Sequence, residues 1–161
     1  MNPQPAPFIK LVQRRFAFGL YLFLKLPAAW FSGVRVREIS EQRAVVSVPY
    51  KWFSQNPFRS TYFACLSMAA EMSTGVLALA QIHNRKPAVS MLVVGLEAAF
   101  FRKATDRSYF LCEDGALFQQ AVEEAIATGE ARTVKAKSVG KNRAGDVVAE
   151  FYVTWSFKVR S

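Results

Sequence analysis

Histidine occurs once in this sequence, at position 83, and cysteine twice, at 65 and 112. A single histidine excludes His pairs, His-containing triads and His-rich metal centres. The two cysteines stand far apart in apolar runs. They make neither a metal spacing nor a disulfide framework, and read as buried, reduced thiols. Acidic residues are scarce as well, 12 against 21 lysines and arginines, for a formal net charge of +9. Such a balance favours an anionic partner, whether a nucleotide-bearing ligand, a nucleic acid or an anionic membrane surface. No basic-aromatic ladder or known nucleic-acid motif is present, so no nucleic-acid partner is expected. Internal repeats and low-complexity segments are also missing.

Apolar side chains are plentiful. Hydrophobic residues make up 52% of 161 residues, with fourteen Phe among them, which suits one domain with a large interior. Residues 1–7 carry three prolines and read as a loose tail. A helix is expected over 8–26, ended near Pro27. Within it, 16–24 is an unbroken apolar run flanked by Arg14, Arg15 and Lys25. The run is shorter than the ~20 residues that span a bilayer. Its basic flanks resemble those of a signal peptide, but Trp30 and Phe31 interrupt any clean cleavage region. A helix packed on the domain is the expectation, with a membrane-surface contact and secretion as alternatives. The division expected is thus a tail and helix over 1–32 and a single domain over 33–161.

Strand patterns follow at 34–39 and 43–49, the second with Ala44, Val46, Val48 and Tyr50 alternating with more polar positions. A loop over 51–60 contains Asn56-Pro57. A helix beginning at about 61, with Ser60 or Thr61 as N-cap, and running to about 82 is apolar on every side, the mark of burial all round. Its small residues, among them Ala64, Ser67, Ala70 and Gly75, permit close approach of a neighbour. A strand over 89–103, a second over 108–112, a helix over 114–128 and a hairpin of 134–139 with 147–159 complete the chain. In the last arm Ala149, Phe151, Val153, Trp155 and Phe157 share one face. An all-round apolar helix must be enclosed, and a curved antiparallel sheet is the simplest enclosure.

Glu71 is the one charged residue between Thr61 and Asn84. A carboxylate there loses hydration, so its pKa should rise, and groups of that kind are often functional. His83, next to Asn84, Arg85 and Lys86 at the end of the same helix, reads as exposed or capping. Ser67 and Ser73 have no base partner in the sequence.

The order of elements over 34–160, and the residues Asn56, Arg59, Tyr62-Phe63-Ala64 and Glu71, resemble the hot-dog superfamily. The likeness is to PaaI-like thioesterases and their DUF4442-type relatives. The PaaI-like pattern is Asn, Gly three residues on, His-Gly-Gly, and an acidic residue nine after the His. Tyr62 stands where that pattern has His, and Phe63-Ala64 where it has two glycines. Phe101-Arg102-Lys103-Ala104 is similar to the end of the strand after the helix in the superfamily. The resemblance implies an α+β hot-dog fold, a curved antiparallel sheet around the central helix of about 61–82, with the N-terminal helix as an addition. It also implies an acyl-CoA thioesterase-like hydrolase. Glu71 and Asn56 would be catalytic; Tyr62, Phe63, Ala64, Arg102 and Lys103 would bind substrate. No metal or cofactor is implied; the coenzyme A thioester, or an acyl carrier, is the substrate. A homodimer or higher homo-oligomer in the cytoplasm is expected, with peripheral membrane contact through the N-terminal helix as an alternative. The other function reading is a non-catalytic acyl- or lipid-binding protein, or a membrane-surface dimerisation protein.

Overall fold

The computed structural model describes residues 5–160. Ahead of the first strand the chain forms three helices where the sequence suggests one: α1 (Pro5–Gln13), α2 (Arg15–Lys25) and α3 (Pro27–Ser32). The loose tail expected over 1–7 lies outside the described residues for 1–4, whereas Pro5 and Pro7 sit in the first turn of α1. Amides of a first turn have no helical acceptor, so proline does no harm there. The break between α2 and α3 falls at Leu26, at φ −135° and ψ 61°. Pro27 forces it, since a residue before proline is driven out of the α region. The break at Arg14, φ −76° and ψ 84°, has no such local signal. Gly33 ends α3 at φ +81°, and a Cβ there would come within 2.8 Å of Pro49 Cγ, so both backbone and space call for glycine.

Strands β1 (Arg35–Ile39) and β2 (Ala44–Val48) form the first hairpin. A loop with a 3-10 turn at Trp52–Ser54 leads to α4 (Phe63–Ile82). This helix starts two residues later than the sequence suggests, with Tyr62 rather than Ser60 or Thr61 at the N-cap. The reason lies in the loop: Thr61 is drawn into a bridge with Gln55, and its amide donates to the Ala104 carbonyl at 2.8 Å. Then follow β3 (Val89–Phe100), β4 (Ser108–Cys112), α5 (Gly115–Thr128), β5 (Arg132–Lys141) and β6 (Val147–Val159). β3 ends at Phe100 rather than 103 because the Phe101 amide turns to the Val148 carbonyl, 2.9 Å away.

All six strands join one antiparallel sheet in the order β1-β2-β4-β5-β6-β3. The sheet curves around α4, which packs on β2, β4 and β5. The architecture is the hot-dog fold. By length and composition α4 could cross a membrane, but 67% of its apolar window is buried inside the domain. Its buried hydroxyls are satisfied at short range. Ser73 Oγ lies 2.8 Å from Ser138 Oγ, and the Trp155 indole N–H donates to Thr74 Oγ1 at 2.8 Å. Phe110, Phe151 and Phe157 of the sheet and Phe118 of α5 are fully buried in the core.

β3 is the exception to this burial. It is an edge strand, paired only with β6, and Leu92, Val94, Leu96 and Phe100 are each at least half exposed. Its register with β6 places Val93, Leu96, Ala98 and Phe100 on the same face as Trp155, Val153, Phe151 and Ala149, the face that elsewhere meets α4. Along α4, the residues Ala64, Ser67, Met68, Glu71 and Leu79 form a half-buried stripe at helical spacing. The inner face of β3 is apolar and incompletely covered, and the stripe of α4, where Ser67 and Glu71 stand among apolar residues, is half covered.

Candidate active site

The loop before α4 and the segment after β3 are laced together. Besides its amide, the Thr61 hydroxyl donates to the Ala104 carbonyl at 3.1 Å, and the Lys103 ammonium donates to the Phe58 carbonyl at 3.2 Å. The Tyr62 amide donates to the Ser54 carbonyl at 2.8 Å. Between these two segments lies an open cavity of about 770 Å³. Asn56, Tyr62, Phe63, Arg102 and Lys103 line it, five of the seven candidate residues brought to one place. Phe101 also lines it, and Phe58, Leu66 and Phe100 extend the apolar wall with residues that the sequence reasoning did not single out. The Phe100-Phe101 pair at a strand end was the available signal.

The helix start supplies donors. No side chain caps α4, and the first amides to find helical acceptors are those of Cys65 and Leu66, both on the Tyr62 carbonyl. Among the described residues nothing accepts from the amides of Phe63 and Ala64. Two convergent amides at the positive end of a 20-residue helix can stabilise an oxyanion. The Phe63 ring, 56% exposed, stands beside them and narrows the approach.

Asn56 has a structural task. Its Oδ1 accepts from the amides of Phe58 at 3.0 Å and Ser60 at 3.2 Å, and from the Ser60 hydroxyl at 3.2 Å. It therefore holds a loop in which Arg59 takes a φ of +57°. Arg102 pairs with Asp146 at 3.0 Å with both side chains about half exposed, so a phosphate could take Asp146's place at little cost.

Glu71 and Ala64 are not in the cavity wall. Glu71 lies eight residues along α4 from Phe63, roughly 12 Å at 1.5 Å per residue. Its carboxylate is half-buried, and burial alone pushes its pKa up. No hydrogen-bond or ion-pair partner for it is found among the described residues. Its nearest surroundings are tight: a Cβ on Gly75 would come within 3.3 Å of Glu71 Oε1 and 3.2 Å of Trp155 Cζ2. Glycine at 75 thus leaves room for both the carboxylate and the indole.

Other nucleophiles are poor. Burial pushes the Cys112 thiol up to about 12 and raises that of Cys65 as well, so both stay protonated at neutral pH. Ser73 is closed off by Ser138 and the Ala70 carbonyl. His83 is at the opposite end of α4, its ring 5.3 Å from that of Phe8.

The raised pKa of Glu71 has a signed effect on stability. The folded protein holds this proton more tightly than the unfolded chain, so the contribution favours folding below the ordinary Glu range and is lost as pH rises through the raised value. Glu71→Gln should flatten that part of the profile. Melting curves from about pH 4 to pH 8 measure it, and identical pH dependence in the two proteins would rule out a desolvated carboxylate.

The family described as Domain of unknown function (DUF4442) matches residues 15–157. The chain belongs to it. No curated protein matches this member of DUF4442. Among solved structures it is similar to a probable thioesterase from Pseudomonas aeruginosa, with a TM-score of 0.72, 19% identity and 99% of each chain covered. A protein from Chlorobaculum tepidum superposes at a TM-score of 0.79 with 12% identity over 98% of each chain. A thioesterase from Haemophilus influenzae gives 0.65 and 11%, covering 91% of this chain and 92% of that one. At these identities the likeness establishes the shared fold. The N-terminal helices fall within the length covered by the first two.

Proposed function

We propose that this DUF4442 protein is a thioesterase-like hydrolase that cleaves acyl thioesters as a homodimer, with Glu71 as its general base. The observation that carries the reading is Glu71 itself: one carboxylate in an apolar helix, half-buried, unpaired among the described residues and raised in pKa. Glu71 takes a proton from a water, whose oxygen attacks the thioester carbonyl carbon. The resulting oxyanion accepts hydrogen bonds from the Phe63 and Ala64 amides. Collapse breaks the carbon–sulfur bond, and the departing thiolate recovers the proton from Glu71. Because the two halves of this site are roughly 12 Å apart along one helix, the amides facing Glu71 would be those of the partner subunit. The cavity beside the helix start would hold the acyl or thiol portion, and Arg102 and Lys103 would meet phosphate groups if the thiol is coenzyme A or a carrier arm. Glu71 acts only when deprotonated, so activity should rise with pH through its raised pKa. Thiol release is the test, measured over short, long and aryl acyl-CoA substrates; the wild type should hydrolyse at least one class.

The exposed inner face of β3 and the half-buried stripe of α4 support the dimer, since together they leave more apolar surface than a soluble monomer normally shows. Light scattering at micromolar concentration should give twice the chain mass or more. A stable monomer there would end both the dimer and the shared site.

A second reading, a protein that binds acyl groups without cleaving them, draws on one feature. The Phe63 side chain stands at the helix start where the PaaI-like pattern has glycine, and Asn56 is committed to its loop. Ligand binding without thiol release for any substrate would favour it.

A further inference from the structure

Helix α2 is built inside out. It buries Phe18 and Leu22 and turns Phe16, Leu20, Phe23 and Leu24 to the solvent, Phe16 at 89% and Leu24 at 64% exposure. These four recur at i, i+4, i+7 and i+8, so they form one continuous stripe. The stripe does not end with the helix. Phe23 contacts Trp30 with ring centroids 5.0 Å apart, Trp30 contacts Phe31 at 5.0 Å, and Phe31 reaches Phe53 of the 3-10 turn at 5.9 Å. Trp52, 82% exposed, is next to Phe53. The patch therefore runs from α2 to the loop whose following residues, Gln55 and Asn56, line the cavity.

Its surroundings carry charge of one sign. No Asp or Glu occurs before Glu38, whereas Lys10, Arg14, Arg15, Lys25, Arg35 and Arg37 fall in that stretch. Arg14 and Arg15 bracket α2 at one end and Lys25 at the other, all three exposed and meeting no carboxylate among the described residues. Arg37 and Arg107 both donate to the Ser47 hydroxyl, at 2.7 and 3.5 Å, so two further guanidinium groups stand close together. Glu38, the nearest acid in sequence, is taken by Arg43 at 2.9 Å.

We propose that the exposed face of α2 and α3 docks on an anionic lipid bilayer. With 11 residues, α2 is roughly 16 Å long, about half a hydrocarbon core, so it lies in the interface rather than across it. Phe16, Leu20, Phe23 and Leu24 enter the acyl boundary. Arg14, Arg15 and Lys25 extend their apolar stems along it and place their charges among the phosphates. Tyr21 and Trp30 have the amphipathic rings that favour this depth. The aromatic path from Phe23 to Trp52 then leads from the bilayer to the loop that borders the cavity, which suits a ligand with a long acyl chain. The docking stands independently of any hydrolysis.

The test is flotation of the full chain with vesicles of phosphatidylglycerol and phosphatidylcholine, and with phosphatidylcholine alone. The wild type should float with the anionic vesicles, bind phosphatidylcholine at least ~10-fold less, and lose binding as salt rises. The triple variant Phe16→Ser, Leu20→Ser, Leu24→Ser should bind the anionic vesicles ~10-fold less or worse, with an unchanged or higher melting midpoint. The charge variant Arg14→Gln, Arg15→Gln, Lys25→Gln should lose a comparable factor. Equal binding by wild type and the serine variant, or no flotation of the wild type, overturns the proposal. So does light scattering in which the serine variant breaks a larger vesicle-free assembly, because the face then covers a second copy of this chain.

Discussion

Glu71→Gln is expected to fold, keep its oligomeric state and lose acyl thioester hydrolysis by ~10²-fold or more, the usual scale for deleting a general base. Gln keeps the length and planar shape of the side chain, so the space shared with Gly75 and Trp155 is still filled. It cannot accept a proton from water, and this is the only change the reaction should register. The same substitution should raise the melting midpoint at neutral pH, because it removes a carboxylate whose charged form burial disfavours. Loss of activity with equal or greater stability is hard to obtain from a merely structural glutamate, whose removal would cost both. Equal activity in the two proteins would dismiss Glu71 as the base. Inactivity of both against every thioester would leave the binding reading in possession.

Trp155→Ala should cost ~3–5 kcal/mol of folding stability, the range for truncating a large core aromatic. The indole is 5% exposed and lies against α4 beside Gly75. Its N–H donates to Thr74 Oγ1, and the Thr74 hydroxyl donates in turn to the Glu71 carbonyl at 2.8 Å. Truncation therefore opens a cavity and removes one bond of a buried chain that ends on the Glu71 backbone. For a domain of this size the melting midpoint should fall by roughly 6–20 °C. Trp155→Phe keeps an aromatic ring but loses the N–H and part of the ring volume beside Gly75; it should cost less than the alanine variant, with the Thr74 oxygen left one donor short. An unchanged midpoint for the alanine variant would mean that this face of β6 does not pack on the helix.

The elements that the sequence made legible were those whose pattern has one physical cause. The alternation from Val147 to Val159 is a half-buried strand whatever surrounds it, and the apolar ring of α4 allows only enclosure. Long-range bonds moved the boundaries. Thr61 left the helix for Ala104, and Phe101 left its strand for Val148, neither partner being visible within a local window. β3 read as apolar on both faces, which is equally the pattern of a central strand; only the strand order shows it to be an edge. The break at Arg14 has no local cause at all. At the site, the spacing that named Asn56, Tyr62 and Phe63 brought them to one cavity, because a loop and the helix turn after it keep neighbours together. The same spacing put Glu71 about two and a half turns below the helix start, but it could not show which side chains close the cavity, nor that the Asn56 oxygen was already taken.

The open edge of β3 also bears on how the chain survives its own synthesis. Twelve residues of strand present unpaired amides and carbonyls, and Glu97 is the only charge among them. Such an edge is a template for pairing with other extended segments, so a newly made chain is open to aggregation through it. Two features blunt the hazard: the bulge between Val93 and Gly95, which breaks the ladder register, and the ion pair of Glu97 with Lys135 at 2.7 Å, which keeps charge beside the strand. Soluble yield in a cell should therefore follow the rate of chain production more steeply than thermal stability does, and Glu97 is the residue whose loss would be felt first in inclusion bodies rather than in an assay.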